Sequence, residues 1–173
     1  MSLTPIPFFF IKERTSLSWR DALWGYERQM IGWSGIVDLA KIRLYSESDV
    51  REIELSCLGK SETYKVGELL RELATSEPEK LGNLSVRKWL FLMLAWVFEN
   101  KANTDDPLSE VETIYADFDY PSEIENFVRY MPVTDDYDSS KHSIEENENR
   151  MFSNWKKYLD TARCRIPDDH KDT

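Results

Sequence analysis

Apolar residues recur at helical spacing along most of this chain. Behind a capping serine, at position 16 or 18, one stripe repeats every three or four residues: Trp19, Leu23, Tyr26 and Met30. Seven further segments show a similar pattern between serine caps and glycine or proline breakers: residues 36–44, 49–58, 66–74, 86–100, 107–118, 122–128 and 144–163. Ser48, Ser85 and Ser143 are the expected caps of three of them, and Pro107 is expected in the first turn of another. Only residues 8–11, Phe-Phe-Phe-Ile, leave room for a strand.

The segment over residues 86–100 is apolar nearly all round, which is typical of a helix covered by others. Its longest apolar run has ten residues, about half of what a membrane span needs. With 173 residues and 41% hydrophobic side chains, the chain can bury a core. The sequence therefore predicts an all-α fold, a single domain over residues 1–165 of seven or eight helices around this central helix, and a polar tail over residues 166–173.

Charge is concentrated in one stretch, residues 103–149, called the acidic segment below. It holds fourteen Asp or Glu and two basic residues, Arg129 and Lys141, a net of −12. The whole chain has a net charge of −10, so the remainder sums to about +2. Such an asymmetry attracts cationic partners and disfavours nucleic acid.

Residues 132–143, inside the acidic segment, are predicted to form a long polar loop. Residues 136–147 have the length of a calcium loop, with Asp136 and Asp138 at its first and third positions. Lys141 replaces the glycine that the sharp turn needs, and Asn147 replaces the final bidentate glutamate. The sequence therefore predicts a solvated acidic loop with no metal ion.

Paired carboxylates are the feature of this sequence that could indicate an enzyme. Glu110 and Asp117 are seven residues apart and share a helix face, as do Glu112 and Asp119 if the helix reaches that far. A hydrolase uses such a pair, but an amphipathic helix also needs a polar face. The two histidines, His142 and His170, lie in the loop and the tail with no nucleophile motif. We expect no enzyme activity and no cofactor.

Two widely spaced cysteines and the lack of an export signal or membrane span indicate a cytoplasmic protein. Trp19, Trp24, Tyr26 and Trp33 crowd into fifteen residues. Most are expected in the core, and an exposed one, such as Trp24, would be an interface anchor.

Three stretches resemble a bacterial family filed as domain of unknown function 2247: LSWRDALWGY at residues 17–26, VETIYADFDYP at 111–121 and FVRYMP at 127–132. The resemblance covers the chain to about Leu159. Similar small bacterial proteins are often encoded beside polymorphic toxins, so the resemblance implies an immunity protein and transfers no active-site residue.

The resulting prediction is a cytoplasmic binding protein, an immunity protein whose acidic surface fills the basic cleft of a toxin such as a nuclease. The predicted partner-binding residues are Asp117, Asp119, Tyr120, Asp135, Asp136, Tyr137 and Asp138. The alternatives are a metal-dependent hydrolase with paired carboxylates and an adaptor whose acids only keep it soluble.

Overall fold

The computed structural model describes residues 5–79 and 84–166, and this part of the chain is helical without a strand. The prediction of an all-α fold is confirmed. Eight α-helices lie in the described residues: α1 (Phe8–Lys12), α2 (Trp19–Glu27), α3 (Trp33–Arg43), α4 (Val50–Ser56), α5 (Val66–Ser76), α6 (Leu84–Glu99), α7 (Pro107–Asp117) and α8 (Ile144–Arg165). Short 3-10 helices lie at Lys60–Lys65, Lys101–Asn103, Ser122–Phe127 and Ser139–Lys141. Residues 8–11, where a strand was conceivable, belong to α1.

The chain divides into two compact units inside α6, between Trp89 and Leu90. The first unit comprises Met1–Trp89 and Ile166–Thr173, and the second Leu90–Arg165. The single domain over residues 1–165 stays a prediction. The polar tail lies, from Pro167 onwards, outside the described residues.

In the first unit, α2 packs on α5, and α3 packs on α4 and α1. Ser18 begins α2 with a capping box: its hydroxyl accepts from the amide of Asp21, and the Asp21 carboxylate accepts from the amide of Ser18. The predicted cap at Ser18 is therefore confirmed. The predicted cap at Ser48 is wrong, because Asp49 caps α4 while the Ser48 hydroxyl accepts from the amide of Tyr45.

Helix α6 is the most apolar element, as predicted. Every residue from Lys88 to Ala95 is buried. The predicted cap at Ser85 is wrong, since Leu84 already belongs to the helix. Ser85 instead donates a hydrogen bond to Asp21 Oδ1 at 2.5 Å. None of the described helices combines the length and the apolar character that crossing a lipid bilayer requires.

In the second unit, aromatic side chains pack the long helix α8 against the 3-10 helix Ser122–Phe127. The fully buried Trp155 ring lies edge-on to Phe98 at 5.1 Å and stacks parallel to Phe127 at 6.0 Å between ring centroids. Ser143 and Glu146 form a capping box at the start of α8. The Glu146 carboxylate accepts from the Ser143 amide, and the Glu146 amide donates to the Ser143 hydroxyl. This aromatic core holds the parts of the acidic segment that pack on it in a fixed position.

Candidate partner-binding surface

The turn after α7, residues 117–120, displays three of the predicted site residues. Helix α7 ends at Asp117, and the next residues leave the helix because Asp119 and Tyr120 adopt left-handed backbone, with φ of 60° and 57°. All three side chains are exposed, and neither Asp117 nor Asp119 has an ion pair with any described residue. Tyr120 is 61% exposed and packs edge-on against Tyr115, with 5.2 Å between ring centroids.

The loop over residues 132–143 is bound to α8 by its own side chains. Asp135 forms an ion pair with Arg150. The Tyr137 ring is sandwiched between the imidazole of His142, 4.6 Å away, and the guanidinium of Arg150, 3.8 Å away. The Tyr137 hydroxyl also donates to Asn147 Oδ1 at 2.5 Å. The contacts of Asp135 and Tyr137 therefore hold the loop in place.

The two remaining predicted residues of the loop differ in their surroundings. Asp138 caps the 3-10 helix Ser139–Lys141, and the hydrogen bonds from the Ser140 hydroxyl and amide lower its pKa. Asp136 is exposed and has no ion pair within the described part of the chain. Of the predicted aromatic anchors, Tyr120 is exposed, while Tyr137 is half-buried.

Both basic residues of the acidic segment are paired within it. Arg129 donates to Glu112 Oε1 at 2.7 Å and to Asp106 Oδ2 at 2.9 Å. Lys141 lies 3.7 Å from Asp138 Oδ2. Partial burial raises the pKa of Asp106, but the hydrogen bonds from Arg129 and from the Ser109 amide outweigh it, and the pKa is lowered.

Tyr115 connects the turn after α7 with the start of the loop. Its ring contacts Tyr120, and its hydroxyl donates to Glu125 Oε1 at 3.0 Å and lies 4.0 Å from Met131 Sδ. Burial, and then the hydrogen bond to Glu125, raise the pKa of Tyr115. Tyr115 thus contacts the turn that displays Asp117, Asp119 and Tyr120, and it also contacts the residue that directly precedes the loop.

Sequence reasoning missed Tyr130, the most exposed large hydrophobic side chain of the described residues at 94%. Its backbone is also left-handed, with φ of 68°. Its neighbours hold it in place, because Val128 is buried and Arg129 is fixed by its two carboxylates. No pattern in the sequence signals a positive φ at a tyrosine.

The geometry bears on the alternatives that the sequence left open. Glu112 and Asp119 do not share a helix face, since α7 ends at Asp117 and Glu112 is held by Arg129. Residues 136–147 run through the 3-10 helix Ser139–Lys141 into the first turn of α8. Among the described residues, no group of three or more His, Cys, Asp or Glu side chains is placed to share a metal ion.

The first unit holds a buried ion pair that the sequence did not predict. Lys88 Nζ lies 2.7 Å from Asp21 Oδ2 and donates to the carbonyl of Ser16 at 3.0 Å. Lys88 is fully buried, and Asp21 is 3% exposed. Burial raises the pKa of Asp21, but the hydrogen bonds from Lys88 and Ser85 and the charge of Lys88 outweigh it, so the pKa is lowered.

A cleft of about 640 Å³ lies beside this pair, lined in part by Asp21, Ser85 and Glu77. The Glu77 carboxylate accepts from the amides of Trp19 and Arg20, at 2.8 and 3.1 Å. One of the chain's own carboxylates therefore occupies the positive end of α2.

Trp24, considered as an interface anchor, is half-buried under the guanidinium of Arg28, 3.9 Å from its ring centroid.

Fold and surface together define an all-α protein whose second unit has an excess of acidic over basic side chains. The chain belongs to the family described as "Uncharacterized protein conserved in bacteria (DUF2247)", whose model matches residues 8–163. The resemblance seen in the sequence is thus confirmed at the level of the family. No curated protein matches the chain, and no solved structure does.

Proposed function

We propose that this chain is a binding protein that holds a basic protein partner on the acidic surface of its second unit, and that it serves as the immunity protein of a toxin. The single observation that carries the proposal is a surplus of exposed carboxylates. Six acids of the acidic segment are exposed and have no ion pair with any described residue: Asp105, Asp117, Asp119, Glu123, Asp136 and Glu145.

The exposed carboxylates lack ion pairs because the two basic residues of the acidic segment are bound to other acids. Arg129 and Lys141 are both engaged with neighbouring acids, so neither offsets the exposed carboxylates. A surface of one sign attracts oppositely charged partners over several ångströms and orients them before contact. A toxin that attacks nucleic acid needs a basic cleft, and an acidic surface competes for that cleft.

Fixed geometry supports binding as well as solubility. The turn at residues 117–120 is stabilised by Tyr115, and the loop is attached to α8 through Arg150 and Asn147. A pre-ordered surface loses little conformational entropy when a partner binds. A surface that only keeps a protein soluble has no need of such ordering.

The test is a growth-protection assay in bacteria that express a toxin identified from a reading frame next to the chain's own gene. Wild type should restore growth. A triple variant, Asp117→Asn, Asp119→Asn and Asp136→Asn, should lose protection because three steering charges are gone while the ion pairs of the loop remain. Asn also tolerates the left-handed backbone at position 119.

The matched control neutralises three exposed acids of the first unit, Glu47→Gln, Glu68→Gln and Glu72→Gln, and makes the same change in net charge. It should protect as well as wild type. Equal protection by both triple variants would contradict the proposed surface, and failure of wild type to protect against the adjacent toxin would contradict the immunity role.

A further inference from the structure

The second unit contains a groove that combines exposed apolar side chains with acidic ones. It has a volume of about 760 Å³ and lies between residues 122–139 and the first half of α8. Tyr130, Val133 and Ile144 line it and are 94%, 42% and 80% exposed. We call it the Tyr130 groove. Exposed apolar side chains clustered in a concave site are typical of a binding surface.

Tyr130 is displayed at a conformational cost. A left-handed backbone costs a non-glycine residue about 1 kcal/mol or more, and the tyrosine ring gains almost no burial in return. Arg129 on one side and Met131, close to the Tyr115 hydroxyl, on the other hold it in that conformation. Strain of this kind, maintained by fixed neighbours, is characteristic of functional positions.

Charge decides which occupant fits. The acids of the groove are Glu123, Glu125, Asp135 and Glu148, and its two basic residues, Arg129 and Arg150, are already paired. A second copy of this chain is unsuitable, because each copy has a net charge of −10 that is concentrated in this unit. A cationic segment with an apolar side chain satisfies both features of the groove.

We infer that the Tyr130 groove binds a segment of the partner in which an aromatic or aliphatic side chain is flanked by lysine or arginine. The inference rests on the proposed function and names the contact through which the partner is held. The apolar side chain packs against Tyr130, Val133 and Ile144, while the flanking cations face Glu123 and Glu148. Charge orients the segment, and the buried apolar contact slows its release.

The experiment measures binding of three fluorescent twelve-residue peptides to the full chain by anisotropy. The first has a central Trp-Leu pair between four lysines, the second replaces Trp-Leu by Ser-Ser, and the third replaces the lysines by glutamates. We expect the first to bind at least about tenfold more tightly than the second and the third not to bind.

Two variants locate the site. Tyr130→Gly removes the ring and suits the left-handed backbone, so the fold is retained. Ile144→Ser removes the apolar contact from the first turn of α8. Each should weaken binding of the first peptide by about tenfold or more. Tyr64→Gly, at a tyrosine of the first unit that is 76% exposed, is the matched control and should leave binding unchanged.

The inference is overturned if the first peptide binds no better than the second, or if Tyr130→Gly binds it as wild type does. Failure of the groove and failure of the proposed function are distinguishable. If the Tyr130→Gly variant still protects from the toxin while the acidic triple variant does not, the inference about the groove is wrong and the proposed function stands. If the groove binds the first peptide but wild type does not protect, the inference about the groove stands and the immunity role is wrong.

Discussion

Replacing Lys88 by Met should strongly destabilise the first unit. Lys88 Nζ lies 2.7 Å from Asp21 Oδ2, and both side chains are buried, so the variant leaves a buried carboxylate without its cation. Breaking a buried ion pair from one side costs about 3–5 kcal/mol. At about 2–4 °C per kcal/mol for a chain of this length, the melting temperature should fall by roughly 6–20 °C.

The effect should depend on pH, with a sign that follows from Asp21. In wild type the pKa of Asp21 is lowered, so its stabilising contribution is present at neutral pH and is lost only as the pH falls below about 4. Without Lys88, burial dominates and raises that pKa. The Lys88→Met variant should then recover part of its lost stability between pH 8 and pH 5, where wild type gains nothing from this group.

Urea unfolding at pH 5 and pH 8 measures both effects. Lys65→Met is the control, since Lys65 pairs with Glu62 at 3.2 Å on the surface and should change the free energy of unfolding far less than Lys88→Met does. Adding Asp21→Asn to Lys88→Met should cost less than the two single changes together. A loss below about 1 kcal/mol for Lys88→Met, equal at both pH values, would refute this reasoning.

Two further pairs of variants test the packing of Gly25 against Trp89 and the backbone strain at Tyr130. Gly25→Ala should lower the free energy of unfolding by about 2 kcal/mol or more, because a Cβ there would lie 2.1 Å from the Trp89 ring; Gly67→Ala, where the nearest atom is 3.8 Å away, should raise it by up to about 1 kcal/mol. Thermal unfolding compares the two, and equal effects would contradict the packing at Gly25. Tyr130→Gly should be about 1 kcal/mol more stable than Tyr130→Ala, because only glycine accepts a φ of 68° freely; the opposite order in urea unfolding would contradict the strain.

Local signals in the sequence predicted most of the helices. Ser18 and Ser143 cap helices as their positions indicated, and Pro107 starts α7 at its first position. The predicted caps at Ser48 and Ser85 failed for different reasons. Asp49 caps α4 in place of Ser48, and Ser85 lies inside α6, where its hydroxyl donates to Asp21. A capping residue announces a helix end only to within a residue or two.

The candidate site was predictable in charge and only partly in geometry. Counting carboxylates located the acidic segment, but the pairing of Arg129 with Glu112 joins residues seventeen apart, which periodicity does not reveal. The sandwich of Tyr137 between His142 and Arg150, and the left-handed backbone of Tyr130, also depend on tertiary contacts. The buried pair of Asp21 and Lys88 was hidden in the same way, since its members are sixty-seven residues apart.

The association rate constant of this chain with the basic partner that it is proposed to bind, followed by stopped-flow fluorescence over a range of salt concentrations, tests the central claim most directly. If exposed carboxylates steer the partner, the wild-type rate should fall steeply as salt rises. The Asp117→Asn, Asp119→Asn and Asp136→Asn variant should associate about tenfold more slowly at low salt, with the two rates converging at high salt. Equal rates at low salt for wild type and this variant would contradict the account.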